Sequence, residues 1–434
     1  MSVVSFREYE PIRVLPTLSS IDERAITTAE LETLDKLSAN LGVQLVEHIS
    51  RSQVRPKQYV GTIQLPNRTL EFLPKIETAE RESLPAVRHN LLEMLLVAYD
   101  LGGNSSGHAG LASRAVGWLD LLILLYCRAL ADQIRRGLVK RYRLEQEDLP
   151  TVKGRILIEE QLRRNLVHRE RSACEYDEFD EDHCLNRLFK LTVRMMLRVA
   201  SNPSTQQAVR ELMPAFENVA EVPLTRQWIE SVKLDRMSER FGLCLSLAKL
   251  FLQGMTTDLY SGNQQSFALM FDMAELFERY IGKQMQRTLR PEGHEVMLQH
   301  SRHYLARDSK SNSRLFKLRP DIVVNTASIP LCIVDTKWKR LKPSERKLGV
   351  AQADLYQMLA YSERYQCKSI LLLYPWHHEN AEFRGFQQQL VFEGKATRVT
   401  IGEISLVDLA TVPRQLYTLF TQCNDFEGCS ESLT

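Results

Sequence analysis

Two acidic residues and a lysine near the carboxyl end of the chain have the spacing of a phosphodiester-cleaving site. Asp321 stands in the sequence R-P-D-I-V-V, and Asp335 and Lys337 stand in I-V-D-T-K. Two converging carboxylates repel each other unless a cation lies between them, and Mg²⁺ prefers such oxygen ligands. A bound metal ion can activate water and stabilise charge on a phosphate, and a lysine adds a positive point charge. The spacing therefore predicts metal-dependent cleavage of nucleic acid.

The surrounding residues predict how the three side chains come together. Residues 320–324 and 331–334 are apolar runs separated by a turn-like segment, which predicts two strands in a hairpin. Because side chains alternate along a strand, Asp335 and Lys337 should project to the same side, with Thr336 on the opposite side. Asp321 on the neighbouring strand can then meet Asp335 across the pair.

A predicted helix at residues 347–365 follows the second strand. Its polar residues Asp354, Gln357 and Tyr361 are three and four positions apart, which places them on one helical face. Such a face could hold a DNA backbone near the metal ions, and it could equally be a solvated helix surface. We take Gln357 and Tyr361 as candidate DNA-binding residues.

The charge of the chain limits how DNA could be bound. A net charge of +2 argues against a large nonspecific DNA-coating surface, although local basic patches can exist beneath that average. One patch directly follows Lys337 and contains Lys339, Arg340, Lys342 and Arg346. Because this patch adjoins the predicted chemistry, we predict that Lys339 and Arg340 bind DNA.

Taken together, these motifs resemble a known superfamily. R-P-D-I-V-V, I-V-D-T-K-W-K and Q-A-D-L-Y-Q-M-L-A-Y are similar to PD-(D/E)xK nucleases, and the spacing of Gln357 and Tyr361 resembles their RecB-type branch. Within the superfamily the sequence is most similar to the McrC family, the nuclease subunits of modification-dependent restriction systems. The segments F-L-P-K-I at residues 72–76, K-G-R-I at 153–156 and D-E-D-H-C-L-N-R at 180–187 also resemble that family.

The resemblance implies a PD-(D/E)xK domain that uses Mg²⁺, or Mn²⁺ in its place, with Asp321, Asp335 and Lys337 as the catalytic core. In nucleases of this design a glutamate on the helix before the first strand often completes the metal site. The predicted helix at residues 271–289 offers Glu278, which we prefer because it lies among apolar residues, and Glu275 as the alternative. A surface glutamate is the other interpretation.

The resemblance also implies a partner. McrC proteins bind an AAA+ GTPase of McrB type, expected here as a hexameric ring, stimulate its hydrolysis of GTP and cut DNA, here expected to be double-stranded. Lys153 and Arg155 of K-G-R-I are then partner-activating candidates, since a cation supplied in trans can stabilise phosphoryl transfer. A strand pair at residues 140–144 and 155–158 is predicted to bracket this turn. An exposed basic turn without a role is the alternative.

Two other functions stay open. A stand-alone RecB-type repair nuclease would use the same three residues. However, the long region ahead of the predicted nuclease has no helicase or P-loop motif of its own, which fits a partner-dependent subunit better. A non-catalytic adaptor that only activates an AAA+ partner would have no need for Asp321, Asp335 and Lys337.

The chain of 434 residues, with 44% hydrophobic and 25% charged residues, is expected to form two or three globular domains. We predict a multidomain α+β fold, with a small β-rich N-terminal docking module at residues 1–85, a mostly helical region at 86–265 and a C-terminal α/β nuclease domain at 266–434. Within the module, residues 28–41 should be helical, with Thr28 as the N-cap and Gly42 as the C-cap.

The compartment is predicted from what the sequence lacks. Eight cysteines are scattered without a C-x-x-C pair, which favours reduced thiols over a disulfide framework or a zinc site. The N-terminus lacks a signal-peptide pattern, and apolar runs fall short of the about 20 residues that span a bilayer. The sequence therefore predicts a cytoplasmic enzyme with no membrane span.

Overall fold

The computed structural model describes residues 2–17, 24–65, 68–76, 84–101, 117–223, 225–255, 267–377 and 385–424. These residues form two compact units. The first comprises Leu119–Leu269, and the second comprises Val3–Trp118 together with Met270–Thr434. Both units contain helices and sheets, so the predicted mixed α and β multidomain fold is confirmed at this level.

The secondary-structure elements are numbered in chain order. The strands are β1 (Ser2–Arg7), β2 (Ile12–Leu15), β3 (Ala25–Thr27), β4 (Val46–Ser50), β5 (Gln53–Pro56), β6 (Tyr59–Gln64), β7 (Arg68–Leu73), β8 (Arg141–Leu149), β9 (Arg155–Ile156), β10 (Ser172–Asp180), β11 (Phe267–Asp272), β12 (Glu295–Leu298), β13 (Tyr304–Arg307), β14 (Arg314–Lys317), β15 (Ile322–Thr326), β16 (Ile329–Thr336), β17 (Ser369–Pro375), β18 (Phe386–Val391) and β19 (Arg398–Ile404). The α-helices are α1 (Thr28–Leu41), α2 (Leu84–Ala98), α3 (Trp118–Arg135), α4 (Ile158–Arg164), α5 (Cys184–Val199), α6 (Pro203–Arg210), α7 (Arg226–Ser231), α8 (Gly242–Met255), α9 (Met273–Leu289), α10 (Gln352–Tyr365) and α11 (Val412–Asn424).

A six-stranded sheet in the second unit carries the candidate nuclease residues. Its strand order is β12-β15-β16-β17-β19-β18. Strands β15 and β16 are antiparallel, whereas β16, β17 and β19 run parallel to one another. Met358 of α10 packs with Ile333 on one face, and Cys423 of α11 lies against Cys332 on the opposite face. Because helices cover both faces, β17 is an almost uninterrupted apolar run.

The N-terminal part of the second unit is rich in strands, as predicted. One four-stranded sheet has the order β3-β2-β5-β4, and another has the order β1-β7-β6-β11. Helix α1 begins with a capping box between Thr27 and Glu30, so Thr27 is the N-cap and the prediction of Thr28 is wrong. Gly42 ends this helix in the left-handed conformation, as predicted.

The first unit combines helices with a small sheet of order β8-β10-β9. The predicted pairing of the strands on either side of K-G-R-I is wrong, because β10 lies between β8 and β9 and pairs antiparallel with both. Gly154, in the turn before β9, has a φ of 71°, and a Cβ there would collide with the backbone carbonyl of Glu175. The turn therefore requires glycine.

The two compact units and the predicted domains group the segments of the chain differently. Helix α2, which falls in the predicted middle region, belongs to the second unit with the N-terminal and C-terminal segments. The predicted boundary at residue 265 lies outside the described residues. Within the described part of the chain, no helix is both long and apolar enough to cross a bilayer.

Candidate active site

The register of the hairpin places the two candidate acids opposite each other. Ile322 of β15 pairs with Val334 of β16, so Asp321 stands opposite Asp335 one position further along. The Asp321 carbonyl accepts a hydrogen bond from the Gln299 N–H (2.7 Å), which extends the pairing of β12 with β15 by one residue. The strand begins at Ile322 and not at residue 320, but the hairpin brings the two acids together as predicted.

The side chain of Lys337 lies beside Asp335. Its ammonium forms an ion pair with the Asp335 carboxylate, and its side chain is 17% exposed. The Lys337 N–H donates to the carbonyl of Leu373 (2.8 Å), which fixes the chain just after β16 against β17. The lysine is therefore held beside the buried acid with a path to solvent.

Two residues of α10 position the lysine. The Lys337 ammonium donates to Gln357 Oε1 (3.3 Å), and Gln357 Nε2 donates to the Tyr361 hydroxyl oxygen (2.7 Å). The Tyr361 hydroxyl in turn donates to the carbonyl of Arg319 (3.0 Å). The polar face predicted for this helix therefore points at the site, although the helix begins at Gln352 and not at residue 347. DNA contact by Gln357 and Tyr361 stays a prediction.

Asp321 has a partner that the sequence analysis missed. Its Oδ2 accepts hydrogen bonds from the Thr336 N–H (2.7 Å) and from the Thr336 hydroxyl (2.9 Å). We expected Thr336 to point away from the acids. The Asp321 carboxylate instead bonds both the backbone N–H and the hydroxyl of Thr336 at the end of β16. A threonine between the acid and the lysine was the available signal, because its hydroxyl can bond a neighbouring carboxylate.

The electrostatics of the site favour an added cation. Burial raises the pKa of Asp335 to about 7, and the charge of Asp321 adds to the rise, while Lys337 opposes it. Burial also raises the pKa of Asp321, against the hydrogen bonds from Thr336. Burial opposes the charged form of Lys337, but the two carboxylates outweigh it and raise the lysine pKa. One lysine does not neutralise two acids, of which Asp335 is buried and Asp321 is half-buried.

Glu278 approaches Asp321 from α9. Both residues line a small cleft of about 170 Å³. Burial raises the pKa of Glu278, and the charge of Asp321 contributes; Glu278 Oε1 accepts a hydrogen bond from Gln299 Nε2 (2.8 Å). Glu275, in contrast, is an exposed residue paired with Arg279 (2.5 Å). The geometry therefore favours Glu278 over Glu275 as the acid nearest the site.

The donor atoms fit a hard cation that keeps part of its water shell. Asp335 Oδ1 is buried and accepts no hydrogen bond from the described residues. In the described part of the chain, no three His, Cys, Asp or Glu side chains are close enough to hold a metal ion by themselves. Glu278 as a further metal ligand beside Asp321 and Asp335 stays a prediction. Mg²⁺ commonly uses one or two carboxylates, with waters and substrate phosphate as its other ligands.

The remaining candidates lie on the segment after β16 or in the first unit. Lys339 is exposed and lies 3.4 Å from the buried Asp354 carboxylate of α10. Arg340 is half-buried and lines a neighbouring cleft. Lys153 and Arg155 belong to the first unit.

Comparison with known proteins identifies the family. The chain matches the family described as McrBC 5-methylcytosine restriction system component over residues 54–375. It is therefore a component of a restriction system. The chain belongs to the McrBC family as a McrC-type subunit, which confirms the resemblance seen in its motifs.

Three similar proteins can be compared directly. The type IV methyl-directed restriction enzyme EcoKMcrBC of Escherichia coli K12 is 22% identical over 274 residues, which cover 59% of this chain and 76% of that protein. A refined half-complex of Thermococcus gammatolerans McrB AAA+ hexamers with bound McrC matches with a TM-score of 0.76 and 20% identity, over 97% of this chain and 100% of that chain. The Thermococcus gammatolerans McrBC complex matches with a TM-score of 0.55 and 23% identity, over 66% and 88%. At these identities the structural matches establish the fold.

Proposed function

We propose that this chain is the Mg²⁺-dependent DNA endonuclease subunit of a McrBC-type restriction complex, with its PD-(D/E)xK domain in residues 266–434. The observation that carries the proposal is the pairing of half-buried Asp321 with buried Asp335, beside Lys337 at the end of β16. Two acids and a lysine at this position have a clear use in phosphodiester cleavage and none in packing, because burying ionisable groups is costly.

Each residue then has a defined task. Asp321 and Asp335 would hold the metal ion, which would supply water activation and charge neutralisation at the phosphate. Asp335 must lose its proton before it binds a cation, because its pKa is raised to about 7. Thr336 orients Asp321, and Gln357 holds Lys337 where its charge can stabilise the phosphate in the transition state.

The second part of the proposal concerns the partner. We infer that the chain binds and stimulates an AAA+ GTPase of McrB type, in line with the McrB hexamers that bind McrC in the similar structure. Lys153 pairs with Glu178 and lies 3.8 Å from the centre of the Tyr176 ring, and Arg155 pairs with Glu175 (2.7 Å). Both cations are exposed, and ion pairs of this kind contribute little to stability, so a partner's phosphates can replace these acids.

The test combines cleavage and GTP hydrolysis in one reconstituted complex. With its partner, GTP and Mg²⁺, the wild-type chain should cut double-stranded DNA that contains 5-methylcytosine, and EDTA should stop the cutting. Asp335→Asn should abolish cleavage and leave the stimulated GTP hydrolysis intact. Efficient cutting by the chain alone would favour a repair nuclease. Stimulated hydrolysis with no cleavage by the wild type would favour an adaptor.

A further inference from the structure

A second cleft in the same unit has five cations among the eleven residues that line it. It has a volume of about 460 Å³ and lies where β16 and β17 end, with Trp338, Pro375 and Trp376 among its walls. Its cations, which define what we call the basic cleft, are Arg55, Lys75, Lys339, Arg340 and Lys342. Glu8 is the acid among the described residues that line it.

The basic cleft joins two distant parts of the sequence next to the candidate active site. Lys339, Arg340 and Lys342 follow Lys337 directly, and the Lys339 N–H donates to the carbonyl of Lys337 (2.9 Å). Arg55 lies on β5, and Lys75 follows β7 in the N-terminal sheets. The cleft is therefore lined both by the segment that follows the proposed catalytic lysine and by the N-terminal part of the chain.

Glu8 holds the two walls of the basic cleft together. It is 1% exposed; its Oε2 accepts a hydrogen bond from the Lys75 N–H (3.2 Å), and both oxygens accept from Trp338 Nε1 (3.3 Å). Burial raises the pKa of Glu8 to about 8, so the carboxyl is largely protonated at neutral pH. The cleft therefore holds five cations beside one acid, among its described residues, whose charged form burial disfavours.

Two of the cations have exposed ion pairs that an anion can replace. Arg55 lies 2.7 Å from Glu47, with both side chains about 40% exposed, and Lys342 lies 2.8 Å from Glu345 with 63% of the lysine side chain exposed. Ion pairs this exposed contribute little to folding. A phosphate that enters the cleft can take the place of these carboxylates at small cost.

We propose that the basic cleft binds the phosphodiester backbone of the DNA substrate next to the phosphate that is cut, so that the N-terminal sheets are part of the DNA-binding surface. The inference rests on the proposed nuclease function. DNA backbone is the occupant that fits, because five cations from three segments line one cleft and three of them closely follow the catalytic lysine in the sequence. Such contacts position DNA and do not read its sequence.

The experiment measures DNA binding without cleavage. Asp335→Asn chain in complex with its partner serves as the background, and Arg55→Gln with Lys75→Gln is added to it. Fluorescence anisotropy with labelled duplexes at several salt concentrations should show binding roughly tenfold weaker. Each phosphate contact contributes about 0.9 to the slope of log affinity against log salt, so the slope should fall by about 2. The matched control, Lys36→Gln with Arg51→Gln, removes the same charge from exposed positions of the same sheets and α1.

Each outcome decides the proposal. A loss that is equal for unrelated duplex sequences, with unchanged thermal unfolding and unchanged partner GTP hydrolysis, is the expected result. Affinity and salt slope equal to those of the control would overturn the basic cleft as a DNA site. Loss of GTPase stimulation with intact DNA binding would assign the cleft to partner docking and also overturn it. Failure of the wild-type complex to cleave DNA would instead remove the proposed function.

Discussion

Replacing Asp335 by asparagine should make the metal-free protein more stable while it removes cleavage. The Asp335 side chain is 1% exposed, and burial with the nearby charge of Asp321 raises its pKa from 3.8 to about 7. An acid with a raised pKa in the folded state binds its proton more tightly there than in the unfolded chain. The contribution of Asp335 to the free energy of unfolding is then fully present below about pH 4 and is lost as the pH rises through about 7.

The size of the effect follows from the same pKa. One pKa unit corresponds to about 1.36 kcal/mol, so ionising Asp335 in the folded protein costs roughly 4 kcal/mol above pH 7. Asparagine has the shape of the protonated acid and no charge. The free energy of unfolding of Asp335→Asn should therefore exceed that of the wild type by up to roughly 4 kcal/mol near pH 9. Near pH 5 the difference should be much smaller.

The assay is urea unfolding with EDTA at both pH values, followed by tryptophan fluorescence. Trp118, Trp338 and Trp376 report on the second unit and Trp228 on the first. Exposed Asp35→Asn is the matched control and should change stability little at either pH. Adding Mg²⁺ near pH 9 should stabilise the wild type and leave Asp335→Asn unchanged, since only the former can bind the ion. An Asp335→Asn protein that is equally or less stable near pH 9 would refute the reasoning.

Three further predictions use other parts of the chain. Lys153→Ala or Arg155→Ala should lower GTP hydrolysis by the partner without changing DNA binding; unchanged turnover would remove this turn from partner activation. Burial raises the pKa of Glu8 from 4.5 to about 8, so the stability of the wild type should fall as the pH rises across that range, and thermal unfolding of Glu8→Gln should show a flatter profile; parallel profiles would contradict this. Glu278→Gln should reduce Mg²⁺-dependent cleavage about tenfold or more in a single-turnover assay, with Glu275→Gln as the control; equal rates for the two variants would exclude a special role for Glu278.

The geometry of the hairpin was predictable because it depends on local alternation. Asp321 and Asp335 stand at the end of the hairpin away from its short turn. A register set by the apolar residues between them and the turn is therefore enough to place them opposite each other. The same holds for α10, where three- and four-residue steps fix which side chains share a face. The start of that helix was predicted too early, because Leu348 and Gly349 adopt left-handed conformations that interrupt the pattern.

Contacts between distant segments were not predictable from one sequence. The bond from Trp338 to Glu8 joins residues 330 positions apart, and no periodicity links them. Strand β10 was missed because its sequence S-A-C-E-Y-D-E-F-D is rich in charge, which strands usually lack. In the structure this strand is stabilised by pairing with β8 and β9, which a local pattern cannot show.

The most direct measurement is anomalous diffraction from crystals of the chain grown with Mn²⁺ and a DNA duplex. We expect one Mn²⁺ within about 2.2 Å of a carboxylate oxygen of both Asp321 and Asp335, with the Lys337 ammonium facing the phosphate. Mn²⁺ bound elsewhere, with those two carboxylates making no metal contact in the DNA complex, would contradict the proposed nuclease site.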